Sequence, residues 1–178
     1  MLTIRWCVRP TATASILLAV ALLLGACGGA GQTGDGSAAG PADQAAAVAN
    51  LDFTAKTIAG ATFDARTLKG KPAVLWFWAP WCATCRAQSG WVSALAEKYA
   101  GKVNVVGVGG LDESGAIREF GSKVGAFPQL DDARGEVWTR FGVVAQSSYV
   151  VLDSDGRIRF QGYLDSPELD KRVAELVS

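Results

Sequence analysis

Residues 73–85 read AVLWFWAPWCATC, and this stretch decides the fold. It opens with a short, aromatic-rich apolar run, which is typical of a buried strand. Pro80 ends the run, and two cysteines separated by two residues, Cys82 and Cys85, follow it. The stretch therefore predicts a strand that passes into a helix at Cys82. Beyond the cysteines, apolar residues recur at the helical spacing i, i+3, i+4 and i+7, namely Val92, Leu95, Ala96 and Tyr99.

A cysteine at the start of a helix has a particular chemistry. The first N–H groups of a helix lack partners within it, and the helix dipole places positive potential at the same end. Both effects favour a thiolate over a thiol at Cys82. Because disulfide exchange requires a thiolate beside a second reachable thiol, we predict that Cys82 and Cys85 form a redox pair. The alternative is a purely structural disulfide, although the short loop that it would close between Cys82 and Cys85 constrains the unfolded chain little.

The cysteine and histidine counts narrow the chemistry further. The chain has four cysteines and no histidine. The absence of histidine removes imidazole metal ligands, Ser-His-Asp triads and Cys-His dyads. Two thiolates alone rarely complete a tetrahedral zinc site within one chain. We therefore predict neither a metal site nor a cofactor.

The N-terminal residues 1–26 have the pattern of a secretory signal peptide. Arg5 and Arg9 supply positive charge, and the apolar run over residues 15–24 is too short to span a bilayer. Residues 24–27 read LGAC, which resembles a bacterial lipobox. This predicts lipidation of Cys27 and a membrane anchor; the alternative is an ordinary secretory signal with an incidental cysteine.

Residues 27–49 are rich in Gly, Ala and Ser and bury too little apolar surface to fold, so we predict a flexible tether. Residues 50–178 then form one domain, in which Cys82 and Cys85 are the only cysteines. An exported protein lies in an oxidising compartment, where structural disulfides are common. A domain with a single cysteine pair has no such framework, which indicates that the pair is a redox-active site. The full chain has 17 basic and 17 acidic residues, and nothing in it suggests a nucleic-acid partner.

Strands and helices alternate through most of the domain before a late hairpin. This order predicts an α/β fold with a central mixed β-sheet and helices on both faces. The predicted strands are residues 73–78, 103–108, 126–130, 148–152 and 158–162, after an N-terminal hairpin over residues 53–63. The predicted helices are residues 86–99, 114–124, 135–141 and a last helix capped by Ser166 with Pro167 at its first position.

The cysteine motif, residues 77–86, resembles the active-site signature of thioredoxin-fold oxidoreductases. From about residue 51 onward the domain resembles the extracytoplasmic redoxin branch, the TlpA/DsbE-like proteins, through its inserted region over residues 114–128 and its segment 141–156. The resemblance implies a thioredoxin fold with an N-terminal hairpin and a central insertion. It also implies a protein dithiol-disulfide oxidoreductase in which Cys82 attacks and Cys85 resolves the mixed disulfide.

The same resemblance implies partners and further site residues. The partners would be protein thiols or disulfides, together with a membrane redox protein that resets the pair. The location would be the extracytoplasmic face of the membrane, to which Cys27 anchors the chain. The residues expected to contact substrate are Pro80, Trp81, Gln146 and Ser147. Trp81 is expected to be partly exposed.

Three positions depart from the family pattern. A cis proline usually follows the residue that aligns with Gln146, but Ser147 stands there. Thioredoxin carries a buried aspartate where this chain has Trp76, and Gly90 replaces a helix-kinking proline. Without the aspartate, one negative charge that would oppose the Cys82 thiolate is missing.

Because no such charge opposes the Cys82 thiolate, the sequence favours a protein that oxidises the thiols of exported proteins. The alternative within the same fold is a reductase of the kind used in cytochrome c maturation. A metal chaperone of thioredoxin fold is a third possibility, but such proteins usually add a histidine to their cysteine pair. A thiol peroxidase is disfavoured because the pattern Pro-x-x-x-Thr-x-x-Cys does not occur around Cys85.

Overall fold

The computed structural model describes residues 47–178. The predicted signal peptide, the predicted lipidation site Cys27 and nearly all of the predicted tether lie outside the described residues. Within the described part, no helix is long and apolar enough to cross a membrane. Ordered contacts begin close to its first residue, because Val48 pairs with Arg157 and the Ala49 N–H donates to the Gly156 carbonyl at 2.8 Å.

Seven strands and four α-helices make up the described part, and a short 3-10 turn covers Ala65–Leu68. The strands are β1 (Thr54–Lys56), β2 (Thr62–Asp64), β3 (Ala73–Trp78), β4 (Asn104–Gly109), β5 (Gln129–Asp131), β6 (Ser148–Leu152) and β7 (Ile158–Gly162). The helices are α1 (Ala83–Lys98), α2 (Ser114–Gly121), α3 (Glu136–Arg140) and α4 (Ser166–Val177).

The central sheet has five strands in the order β5-β4-β3-β6-β7. Strands β3, β4 and β5 run parallel, whereas β6 is antiparallel to both β3 and β7. The β1–β2 hairpin forms a separate two-stranded sheet. The predicted mixed sheet, N-terminal hairpin and central insertion are therefore confirmed.

Strand β3 lies at the centre of the sheet and is buried along its whole length. Its alternate side chains face opposite sides, so Trp76 and Trp78 pack in one apolar cluster and Phe77 packs in the other. Helices α1, α2 and α4 contribute to the first cluster, and α3 contributes to the second. Helices thus cover both faces of the sheet, as the sequence predicts, and Trp78 belongs to the core.

Three helix ends differ from the prediction. Helix α1 begins at Ala83 and not at residue 86. Asp165, not Ser166, is the N-cap of α4, and its carboxylate accepts a hydrogen bond from the Glu168 N–H at 2.9 Å. Both residue types are good caps, so the residue type alone does not choose between them. Helix α2 ends at Gly121 and not near Val124, because the chain turns there: the Val124 N–H donates to the Gly121 carbonyl.

Candidate active site

The cysteine motif joins the end of β3 to the start of α1. A tight turn closes where the Cys82 N–H donates to the Ala79 carbonyl at 3.1 Å. Cys82 is the N-cap of α1, and its Sγ accepts a hydrogen bond from the Cys85 N–H at 3.1 Å. The predicted passage from strand to helix at Cys82 is confirmed. The Cys82 sulfur occupies the position at which free N–H groups and the helix dipole stabilise negative charge.

The two cysteines are joined as a disulfide, with their Cα atoms 5.3 Å apart. They differ in access to solvent: Cys82 is 7% exposed, and Cys85 is fully buried in the core cluster with Val92 and Trp76. Of the two cysteines, Cys82 is therefore the one with access to solvent.

Of the two residues just before Cys82, one is exposed and the other is buried. Trp81 is 54% exposed, as expected, and its indole N–H donates to the Leu111 carbonyl at 3.1 Å. Pro80 is buried, and its carbonyl accepts a hydrogen bond from Arg86 Nε at 2.9 Å. This hydrogen bond holds the Arg86 guanidinium against the turn that precedes Cys82. Beside it, a cleft of about 540 Å³ separates the start of α1 from α2.

Gln146 and Ser147 lie in the loop that precedes β6. Ser148, the first residue of β6, pairs with Phe77 near the end of β3, so this loop and the cysteine motif share one edge of the sheet. Gln146 is half-buried, and the Gln146–Ser147 peptide bond is trans, since residues 47–178 contain no cis bond. Ser147 is only 2% exposed, so its side chain points into the protein and not toward a substrate.

Ser147 takes part in a buried chain of hydrogen bonds. Its hydroxyl accepts from the Trp76 indole N–H at 3.2 Å and donates to Gln88 Oε1. Gln88 Nε2 in turn donates to the Leu164 carbonyl at 3.1 Å. The chain connects β3, the loop before β6, helix α1 and the segment between β7 and α4. We call it the Trp76–Ser147–Gln88 network.

The core around the cysteines carries no charge. Among the described residues, the buried polar side chains are Gln88, Gln129, Asp132 and Ser147. Asp132 accepts hydrogen bonds from three N–H groups at the start of α3, whose apolar residues pack on the other face of the sheet. Burial raises the pKa of the Asp132 carboxyl. No carboxylate is buried with the Cys82–Cys85 pair in this part of the chain.

The profile of the AhpC/TSA family matches residues 46–161, which is more than half of the chain. The chain belongs to the AhpC/TSA family. Soluble secreted antigen MPT53 of Mycobacterium tuberculosis is 41% identical over 138 residues, covering 75% of this chain and 79% of MPT53. Within the family, the chain is a TlpA/DsbE-like redoxin of thioredoxin fold, as its sequence predicts.

Two solved structures resemble this redoxin closely. MTB dsbF in mixed oxidized and reduced forms is 43% identical, with a TM-score of 0.66, and the match covers 71% of this chain and 96% of dsbF. A secreted Mycobacterium tuberculosis disulfide oxidoreductase homologous to E. coli DsbE is 39% identical, with a TM-score of 0.65 and coverage of 71% and 97%. The chain is accordingly a protein thiol-disulfide oxidoreductase.

Sequence reasoning missed Gln88 in this redoxin, although a signal was present. The buried stripe of α1 consists of Cys85, Gln88, Val92 and Leu95, at spacings of three and four residues. A polar residue on an otherwise apolar stripe needs a buried partner. The sequence does not name that partner, because Ser147 lies 59 residues away.

Proposed function

We propose that this redoxin acts outside the cytoplasm and uses Cys82 and Cys85 to oxidise the thiols of exported proteins. The observation that carries the proposal is the position of the Cys82 sulfur. It caps α1 and accepts the Cys85 N–H, while its disulfide partner is fully buried. This arrangement favours attack at Cys82 and release of Cys85.

The proposed cycle begins when a substrate thiolate attacks Cys82 Sγ. A substrate–Cys82 disulfide forms, the Cys82–Cys85 bond breaks, and Cys85 leaves as a thiolate that takes up a proton. A second substrate thiolate then attacks the substrate sulfur of the mixed disulfide and releases the Cys82 thiolate at the helix start. The substrate loses two electrons and the cysteine pair gains them. A membrane redox partner would then withdraw these electrons and restore the disulfide.

The direction of the reaction depends on the stability of the reduced pair, because a dithiol whose reduced form is stabilised is a strong oxidant. The Cys85 N–H and the α1 dipole stabilise a Cys82 thiolate. The neutral Trp76–Ser147–Gln88 network places no buried charge against it. These contacts support an oxidant over a reductase of the same fold.

We expect the reduction potential of the Cys82–Cys85 pair to lie above about −200 mV, nearer to that of a strong oxidant such as DsbA than to that of thioredoxin. Equilibration of the purified domain with glutathione buffers, followed by thiol alkylation and mass analysis, measures this value. A Cys82→Ser variant is the control and should show no two-electron transition. A potential near the −270 mV of thioredoxin would instead assign a reducing role.

We further propose that residues 1–26 are a signal peptide, that Cys27 is lipidated, and that residues 27–49 tether the domain to the membrane. The LGAC sequence supports the lipidation of Cys27. The relative named as a soluble secreted antigen supports export only. The intact protein is expected in the membrane fraction, and Cys27→Ala should release it or block its processing. Cys7→Ala is the matched control. If Cys27→Ala changes neither the fractionation nor the N-terminal mass, the proposed lipid anchor is wrong. The redox proposal does not depend on this result.

A further inference from the structure

Exposed apolar side chains are concentrated at one edge of the central sheet. The described residues include six large hydrophobic side chains that are well exposed. Four of them belong to loops that begin or end at the edge where the cysteine motif lies, namely Trp81, Leu111, Val144 and Tyr163. Clustered exposed apolar groups mark interaction surfaces, whereas isolated ones do not.

The strand directions bring these loops together. Strands β3 and β4 run parallel and end at Trp78 and Gly109, so the loops that follow them meet at the same edge. Strand β6 runs antiparallel to β3 and starts at this edge with Ser148, and β7 ends there with Gly162. The four apolar side chains therefore lie on loops at the same edge of the sheet as Cys82.

Leu111 has the least expected conformation of the four. Its φ is 57°, and it is the only non-glycine residue between positions 47 and 178 with a positive φ. A Cβ makes this backbone region unfavourable, and leucine has no polar side chain to compensate. The Leu111 carbonyl accepts the Trp81 indole N–H, which fixes the loop beside the residue that precedes Cys82.

Folding alone does not explain a leucine here. Leu111 is 49% exposed, so about half of its surface is left in contact with solvent. Glycine or asparagine would adopt the same backbone with less strain. An unfavourable conformation that presents an apolar side chain to solvent near a reactive sulfur indicates a use for that side chain in binding.

We propose that Leu111 determines substrate specificity: with Trp81 it forms an apolar rim beside Cys82 that selects cysteines flanked by a large apolar residue. The proposal rests on the proposed function, since it assumes that Cys82 reacts with protein thiols. Cys82 is only 7% exposed, and Trp81, which precedes it, donates its indole N–H to the Leu111 carbonyl. A substrate chain that brings its sulfur to Cys82 therefore passes beside the Trp81–Leu111 rim. Because folded proteins bury such flanking residues, the rim favours cysteines in unfolded or extended segments.

Two dithiol peptides test the rim directly. They share one sequence, except that the residues beside the attacking cysteine are leucine in one and serine in the other. The oxidised wild-type protein should oxidise the leucine peptide with a kcat/KM about tenfold higher, through KM, as expected for one apolar side chain bound at a surface. Oxidation of dithiothreitol, which has no flanking residue, gives the reference rate.

Leu111→Asn is the decisive variant, because asparagine accepts the same backbone and leaves the carbonyl free to bind Trp81. It should lower the leucine preference to about twofold or less, measured as the ratio of the two peptide rates within the variant, so that any change in the reactivity of Cys82 itself cancels. Trp91→Ser, which removes an exposed tryptophan along α1, is the matched control and should keep the full preference. A preference that survives in Leu111→Asn, or is absent from the wild type, overturns the proposal. Failure of the wild type to oxidise either peptide would instead overturn the proposed function.

Discussion

Cys82→Ser is expected to reduce disulfide exchange to the uncatalysed background, whereas Cys85→Ser should complete the first step and then stop. The reason is access, since Cys82 carries the reachable sulfur and Cys85 is fully buried. In Cys85→Ser, the Cys82 thiolate still attacks a disulfide substrate, but no second thiol resolves the product. Mixed disulfides should therefore accumulate in this variant alone.

Both variants are expected to fold, so a difference in trapping between them reports on the missing thiol and not on unfolding. Serine is among the best N-cap residues, so Cys82→Ser retains an acceptor for the Cys85 N–H at the start of α1. Cys85→Ser buries a hydroxyl, so Cys85→Ala should be run beside it as a variant without that cost. Non-reducing gels and intact mass after incubation with a disulfide-containing protein measure trapping. Equal trapping by the Cys82 and Cys85 variants would contradict the assignment of roles.

Local sequence patterns predict the elements that carry the cysteines. The apolar run of β3 and the helical spacing of α1 are both contained within short windows. The observed strand has the predicted bounds, and the observed helix begins three residues before the predicted one. The position of Ser147 next to β6 is predictable in the same way, from the turn that follows the strand. These features depend on neighbours in the sequence and not on distant partners.

The contacts that define the site are not local. The Trp81 indole reaches a carbonyl 30 residues away, and Gln88 reaches Ser147 across 59 residues. Helical periodicity places Gln88 on the buried face, but it does not identify its acceptor or donor. The inward direction of the Ser147 hydroxyl likewise depends on a packed core that a single sequence does not specify.

Two departures from the family pattern turn out to be partners in space. Trp76 stands where thioredoxin has a buried aspartate, and Ser147 stands where the family has a proline. In the fold, the Trp76 indole N–H donates to the Ser147 hydroxyl. A buried indole N–H needs an acceptor, and a proline side chain provides none. Ser147 therefore supplies the acceptor that Trp76 requires, and each of the two departures is explained by the other.

Ser147→Pro and Ser147→Ala should each destabilise the oxidised protein by roughly 2–6 kcal/mol. Both remove the hydroxyl and leave two buried groups, the Trp76 N–H and Gln88 Oε1, without partners, at about 1–3 kcal/mol each. Urea unfolding followed by tryptophan fluorescence measures the loss. Ser148→Ala is the matched control. Its hydroxyl donates to the Ala145 carbonyl within the loop, so we expect a loss of less than about 1.5 kcal/mol.

A double-mutant cycle separates the hydrogen bond from general disruption of the core. Trp76→Phe removes the indole N–H together with part of the ring and carries its own packing cost. Once that N–H is gone, Ser147→Ala leaves one fewer buried donor unsatisfied. The double variant should therefore lose about 1–2 kcal/mol less than the sum of the two single losses. Strictly additive losses would show that Trp76 and Ser147 do not depend on each other, and the pairing of these two family departures would then carry no energetic meaning.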